Sequence, residues 1–272
     1  MTQTALMKTN THGYSNTRST FRPRLPLHVS GIAEEMRAGD AALRTAFAKQ
    51  PLGTAAPAET LPGNVASVIL IDRGVAYRAH TVAGERRVLL DLLLPGDFAG
   101  FEHALVGEAN ARLVAAETLT YRALTMDQFD KLTKKRVVWI GIAAALMQER
   151  SRMDRLAAIR RLEARERIAA FLLDLYDRLR RLGLVSQPRF NLPLTQGNAA
   201  DYLGMTPEHF NRTLADMRDA GLVEIDRRVI ANMQLRQLRS IVPRLPPVPT
   251  GDPSWGRISA HDREMSVRGR NR

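Results

Sequence analysis

Three side chains near residue 210 carry the hydrogen-bonding groups that suit reading the edges of DNA bases. Glu208, Asn211 and Arg212 fall at positions i, i+3 and i+4 of a predicted helix, so they share one face. Arg212 can donate a fork of two bonds to guanine, Glu208 can accept from cytosine, and Asn211 can bond adenine or a phosphate. A solvated Glu–Arg pair on a surface helix would give the same spacing, so the surrounding elements must decide between the two readings.

The residues before this helix predict another short helix, which precedes it in the chain and crosses it. Thr195 is a suitable N-cap for a short helix, and Ala199 and Ala200 keep the surface of that helix small. Gly204 supplies a turn conformation that most residues avoid. Two helices joined by a tight glycine turn form a helix-turn-helix.

The helix that carries Glu208, Asn211 and Arg212 is the second helix of this motif, and its start is also marked by the sequence. Thr206 can cap it, and Pro207 stands at the first helical position, where a missing N–H costs nothing. Phe210 and Leu214 point to the core. The exposed side chains therefore lie in the first two turns, the part of the second helix that enters a major groove.

A two-stranded wing with a basic tip is predicted after this helix. Gly221 ends the helix, and the apolar stretches 222–225 and 229–231 flank Asp226, Arg227 and Arg228. Basic side chains at such a tip suit the phosphate backbone. A last helix is predicted over Met233–Ile241.

The longest helix, predicted from Val137 to Arg161, carries a narrow heptad seam. Side chains at alternating spacings of three and four form it: Trp139, Ile142, Leu146, Glu149, Met153 and Leu156. So narrow a seam on a polar helix favours pairing with a second copy through Ile142, Leu146, Met153 and Leu156. The alternative is an amphipathic helix that lies against a sheet, and Glu149 within the seam weakens the dimer interpretation.

Short strands at regular spacing predict an antiparallel sandwich or roll before the long helix. A helix over Ile32–Ala48 and a loop rich in proline and glycine from Pro51 to Gly63 precede them. The predicted strands are Val65–Ile71, Val75–His80, Arg86–Leu94, Arg112–Ala116 and Leu119–Leu124.

The fold class expected is therefore α+β, in five parts. Residues 1–27 and 243–272 read as disordered tails, because they are polar or rich in proline. Between them lie a β-roll at 28–136, a dimerisation helix at 137–161 and a winged helix-turn-helix at 162–242.

Composition narrows the class of protein. The chain has 272 residues, with 40 Lys and Arg against 28 Asp and Glu, so its net charge is +12. A positive charge of this size suits a nucleic acid as partner, although basic tails alone would also raise the net charge. It contains no cysteine, which excludes disulfides, thiolate zinc sites and cysteine-ligated iron–sulfur clusters. No apolar run approaches the roughly 20 residues that span a bilayer. A cytoplasmic protein without a membrane partner is expected.

From Val65 to Ile241 the chain resembles the Crp/Fnr superfamily of bacterial regulators, most specifically over Leu192–Ile225. Its Glu208–Arg212 segment is similar to the family's Glu-x-x-Ser/Gly-Arg recognition motif. The resemblance implies a homodimer on a palindromic operator, with double-stranded DNA and RNA polymerase as partners. It also implies base reading by Glu208 and Arg212 and tuning of the operator by Asn211 and Pro207, beside the base reading that the side chain of Asn211 allows. Residues expected to support DNA binding are Thr195, Thr206, Pro207, His209, Arg227 and Arg228. Pro207 stands where some members carry a base-reading arginine.

The roll resembles the family's nucleotide-binding domain in outline only. Pro95–Gly100 looks like the turn beside the nucleotide pocket, but Phe101 stands at the position of the ribose-binding Glu. Asn110 and Ala111 stand where an Arg-Ser pair would hold the cyclic phosphate. The resemblance therefore implies no cofactor, as in the FixK-like branch. The alternative is a regulator that responds to cAMP or cGMP through an atypical pocket.

Other classes find less support. The sequence shows no phosphate-cradling glycine loop, no metal-ligand spacing and no nucleophile–base pair, so no catalytic residue is assigned and an enzyme is not expected. His80 and His103 lack a carboxylate pattern and are interpreted as ordinary residues, not as metal or haem ligands. A protein-interaction module that has lost DNA binding would be expected to replace the arginines at 212, 227 and 228.

Overall fold

The structure is a computed structural model that describes residues 29–61, 67–81, 87–107 and 111–246. The predicted tail at 1–27 lies outside the described residues, as does the part of the predicted tail at 243–272 that begins at residue 247. The helices are α1 Val29–Ala48, α2 Phe101–Val106, α3 Met126–Thr133, α4 Arg136–Ile159, α5 Ala164–Arg181, α6 Gln196–Leu203, α7 Pro207–Asp219 and α8 Leu235–Ile241. The strands are β1 Leu52–Ala55, β2 Ser67–Arg73, β3 Ala76–Thr81, β4 Arg87–Leu93, β5 Phe98–Ala99, β6 Arg112–Ala115, β7 Leu119–Thr125, β8 Phe190–Asn191, β9 Glu224–Asp226 and β10 Val229–Ala231.

Two antiparallel sheets form the roll, and the α+β prediction is confirmed. One has the order β1-β7-β2-β5 and the other β4-β3-β6. Side chains from both sheets, among them Ile69, Ile71, Leu93 and Leu113, form a shared core between them. The outer face of the second sheet is covered by the C-terminal helices, because Leu89 and Leu92 belong to the same core as Phe171 and Phe210.

Four short elements were not predicted, and one of them is β5, which pairs with β2 at the edge of its sheet. β1 lies within the predicted loop and pairs with the edge of β7, opposite Leu119 to Arg122. Flanking proline and glycine hide such a short edge strand in the sequence. α2 follows the predicted turn Pro95–Gly100, and it is bounded by Gly100 and Gly107, which both adopt left-handed φ. β8 makes the wing a three-stranded sheet.

Helices α1 and α4 cross at a close approach of their backbones. A Cβ on Gly39 would lie 2.5 Å from the backbone nitrogen of Gly141, so only glycine permits this distance. Below the crossing, Leu43 and Phe47 of α1 pack with Val138 of α4 around the ring of Phe129.

Two residues of the predicted dimer seam lie in the chain's own core, which corrects that prediction. Ile142 is 1% exposed and packs with α1, and Leu156 is 2% exposed and packs with the C-terminal helices. They leave almost no area for a second copy to cover. The periodicity of α4 was recognised correctly, but its apolar side chains are divided between two intramolecular contacts. Leu146 and Met153 remain half-buried.

No helix in the described part of the chain is long and apolar enough to cross a membrane.

Candidate DNA interface

The helix-turn-helix is built by the residues that the sequence marks. The Thr195 hydroxyl accepts from the backbone N–H of Asn198 at 3.1 Å, and Thr206 accepts from the N–H of His209 at 3.2 Å. Pro207 is the first residue of α7. Gly204 ends α6 with a φ of 66°. These caps satisfy N–H groups that a helix start leaves without a partner.

One face of α7 is buried and the other is exposed. Phe210 and Leu214 join the core with Ala199 and Leu203 of α6, which the small alanine surface allows. The opposite face is exposed and carries the predicted residues Glu208, His209, Asn211 and Arg212.

The exposed side chains are available to a ligand. Within the described residues, no hydrogen bond or ion pair engages the side-chain polar groups of Glu208, Asn211 or Arg212. The solvated Glu208–Arg212 pair, which was the alternative interpretation of this spacing, is therefore not formed. The carboxylate of Glu208 and the guanidinium of Arg212 can therefore both form hydrogen bonds with another molecule.

The two wing arginines occupy different environments. Arg227 is exposed at the tip, with a left-handed φ of 54°. Arg228 instead donates from Nε to the carbonyl of Leu192 at 3.1 Å, so its side chain holds the wing to the segment before α6. Arg228 also lies near Glu117 of the roll. Burial raises the pKa of Glu117, and Arg228 opposes that rise.

Buried ion pairs join the roll to α4 and α5, a feature that the sequence analysis missed. Arg152 of α4 donates from Nη2 to Asp91 at 2.7 Å and from Nη1 to Asp97 at 3.4 Å. Arg178 of α5 donates to Asp97 at 3.0 Å and to the carbonyl of Leu92 at 2.7 Å. A charged residue within the apolar run of β4 was the available signal, because a buried charge requires a partner.

A cavity of about 270 Å³ opens between the roll and α4. It is lined by Arg78, His80, Leu90, Glu102, Val106, Ala111 and Met153. Arg78 lines this cavity and forms a buried ion pair with Glu149. Its Nη1 also lies 3.8 Å from Oε2 of Glu102. Burial would lower the pKa of Arg78, but Glu149 and the other carboxylates raise it. Phe101 packs into the core with Phe98 and Phe129.

Comparisons with known proteins agree with this architecture. The family model of the Crp-like helix-turn-helix domain matches residues 166–241, which hold α6, α7 and the wing. The nitrogen fixation regulation protein FixK of Rhizobium meliloti is 31% identical over 172 residues, 63% of this chain and 76% of the relative.

Two further matches have lower sequence identity to this chain. An anaerobic regulatory protein of Aggregatibacter actinomycetemcomitans is 26% identical over 61% of this chain, which spans just under two thirds (65%) of that relative. The solved structure of FixK2 from Bradyrhizobium japonicum has the same fold, with a TM-score of 0.59 and 22% identity. It covers 72% of this chain and 98% of its own.

Proposed function

This chain belongs to the Crp/Fnr family of transcription regulators, and from that premise we propose that it binds a palindromic operator as a homodimer without a cyclic nucleotide. The observation that carries the proposal is the exposed face of α7. Its carboxylate, amide and guanidinium groups project from the first two turns of the second helix of a helix-turn-helix. RNA polymerase is the further partner that membership of the family implies.

In this proposal each side chain has a definite task. Arg212 donates to O6 and N7 of a guanine, Glu208 accepts from a cytosine, and Asn211 bonds an adenine or a phosphate. Thr195 and Thr206 fix the helix starts. Arg227 reaches a phosphate from the wing tip, whereas Arg228 positions the wing through its bond to Leu192.

The test of base reading is selection from randomised operators. Arg212→Ala should cost on the order of 1–3 kcal/mol per half-site and relax the preference at one guanine, because it removes a bidentate contact. Arg218→Ala is the control, since Arg218 is exposed at the far end of α7 and pairs with Asp219. An Arg212→Ala protein with the wild-type sequence preference would contradict the assignment.

We place the dimer contact on the exposed stripe of α4, defined as Trp139, Ala143 and Met147. The three residues are spaced by four along a helix of 24 residues, and Trp139 and Met147 are 45% and 62% exposed. Leu146 adjoins this stripe. A second copy would cover these side chains with its own stripe, as in a coiled coil.

Met147→Glu should therefore separate the protomers and abolish tight operator binding. Two methionines lost from the contact, each contributing roughly 1.5–3 kcal/mol, correspond to a dissociation constant more than about a hundredfold higher. Sedimentation measures the change. Ala41→Glu, on the exposed surface of α1, is the control and should stay dimeric. A Met147→Glu protein that remains a dimer would place the interface elsewhere.

A further inference from the structure

We propose that Arg87 of the roll contacts the DNA backbone beside each half-site, so that the roll takes a direct part in operator binding. This inference rests on the proposed function, because it assigns a new contact to the same DNA complex. It differs from the sequence-based expectation, in which all DNA contacts come from the helix-turn-helix and its wing.

Arg87 lies against the first helix of the helix-turn-helix. Its Nη2 is 3.4 Å from Oδ1 of Asn198, and its Nη1 is 3.4 Å from the hydroxyl of Tyr77. Asn198 is the third residue of α6, in the turn that Thr195 caps. In helix-turn-helix complexes this first helix crosses the phosphate backbone. A guanidinium beside its first turn is therefore placed where a phosphate passes.

The strand that carries Arg87 is held to α6 by contacts of neighbouring residues. Arg160, at the end of α4, donates from Nε to the carbonyl of Tyr202 at 2.9 Å and from Nη2 to the carbonyl of Leu89. The same side chain thus holds the end of α6 to β4, two residues from Arg87. Leu89 packs in one core with Ala199 of α6. Strand β4 and α6 are therefore expected to meet DNA as one body.

The charge around Arg87 favours an anion. Its side chain is exposed, and within the described residues no carboxylate forms an ion pair with it. The first turn of α6 contains no acidic residue. The helix start adds a partial positive charge of its own. A phosphate oxygen would replace the long bond to Asn198 with a charge-assisted one, which is stronger.

The first measurement is the salt dependence of operator binding by the full chain. Each neutralised phosphate contributes about 0.9 to the slope of log K against log salt, so Arg87→Ala should make the slope shallower by about 1.8 for a dimer. Its base preference should stay that of the wild type, because phosphates carry no sequence. Arg87→Lys should recover most of the slope. Arg37→Ala, an exposed arginine on α1, is the matched control and should change nothing.

The second measurement locates the contact. In operators with single uncharged methylphosphonates, the position that faces Arg87 should weaken the wild type and have no effect on Arg87→Ala. Wild-type protein that selects no operator would overturn the proposed function and this inference together. Wild-type protein that binds, with Arg87→Ala giving the same slope and the same methylphosphonate profile, would overturn this inference alone.

Discussion

Asp97 is the residue at which the roll and the helices are held together most directly. It accepts hydrogen bonds from Arg152, from Arg178 and from the backbone N–H of Leu94. Burial would raise the pKa of its carboxyl group, but the two arginines outweigh burial and hold the pKa below its usual range. Since the folded chain holds the charged form more tightly than the unfolded chain does, the pairing adds stability at neutral pH.

The sign of this shift predicts acid sensitivity. Stability from Asp97 is fully present above the unfolded pKa, about 3.9, and is lost as the pH falls through the lower folded value. Asp97→Asn should cost on the order of 3 kcal/mol near pH 7, because it leaves buried arginine charge without its carboxylate. The variant should also lose less of its free energy of unfolding than the wild type does as the pH is lowered. Urea unfolding at several pH values measures both effects.

The control for this experiment is Asp154→Asn. Asp154 pairs with Arg150 on the surface of α4, and both side chains are more than half exposed. Such pairs contribute little. If Asp154→Asn and Asp97→Asn destabilise the protein equally, the buried ion pairs contribute no more to stability than a surface pair does.

At the scale of elements, the crossing of α1 and α4 depends on two glycines. Gly141→Ala should destabilise the protein by about 1–3 kcal/mol, because the new methyl group would meet the backbone of α1 at 2.5 Å. The higher helix propensity of alanine, worth about 1 kcal/mol, offsets only part of this. Gly197→Ala in α6 is the control, since a Cβ there meets nothing within 4 Å. Thermal or urea unfolding should show it neutral or slightly stabilised, and equal losses in both variants would refute the close crossing.

The elements show what sequence can and cannot predict here. The helix-turn-helix was predicted because its caps and turn are local, set by Thr195, Gly204 and Thr206. The seam on α4 was partly wrong, because periodicity identifies a helix without identifying which element covers each face. Ile142 and Leu156 turned inward onto partners far apart in the chain. β1 is four residues long and depends on its pairing with β7, which no local pattern encodes.

At the scale of the whole molecule, the predicted roll and winged helix share a core, because the outer face of the second sheet packs against the C-terminal helices. Residues of β3 and β4, such as Tyr77 and Leu92, pack with residues of α5 and α7. Movement of α4 or of the roll would therefore act directly on the orientation of α7. The cavity beside Arg78 lies against the same helix α4, through Met153.

The cavity also carries the last prediction, which concerns the signal. A buried cyclic phosphate needs an arginine that is free to pair with it. Arg78 is instead neutralised by Glu149, with Glu102 nearby, and Ala111 offers no hydroxyl. Calorimetry with cAMP or cGMP should therefore show no saturable heat, and neither nucleotide should change operator affinity. The same sample, titrated with its selected operator, provides the positive control. Micromolar nucleotide binding that tightens the operator complex would instead establish the alternative, a cyclic-nucleotide-responsive regulator. In that case Arg78 would have to leave Glu149 and pair with the phosphate.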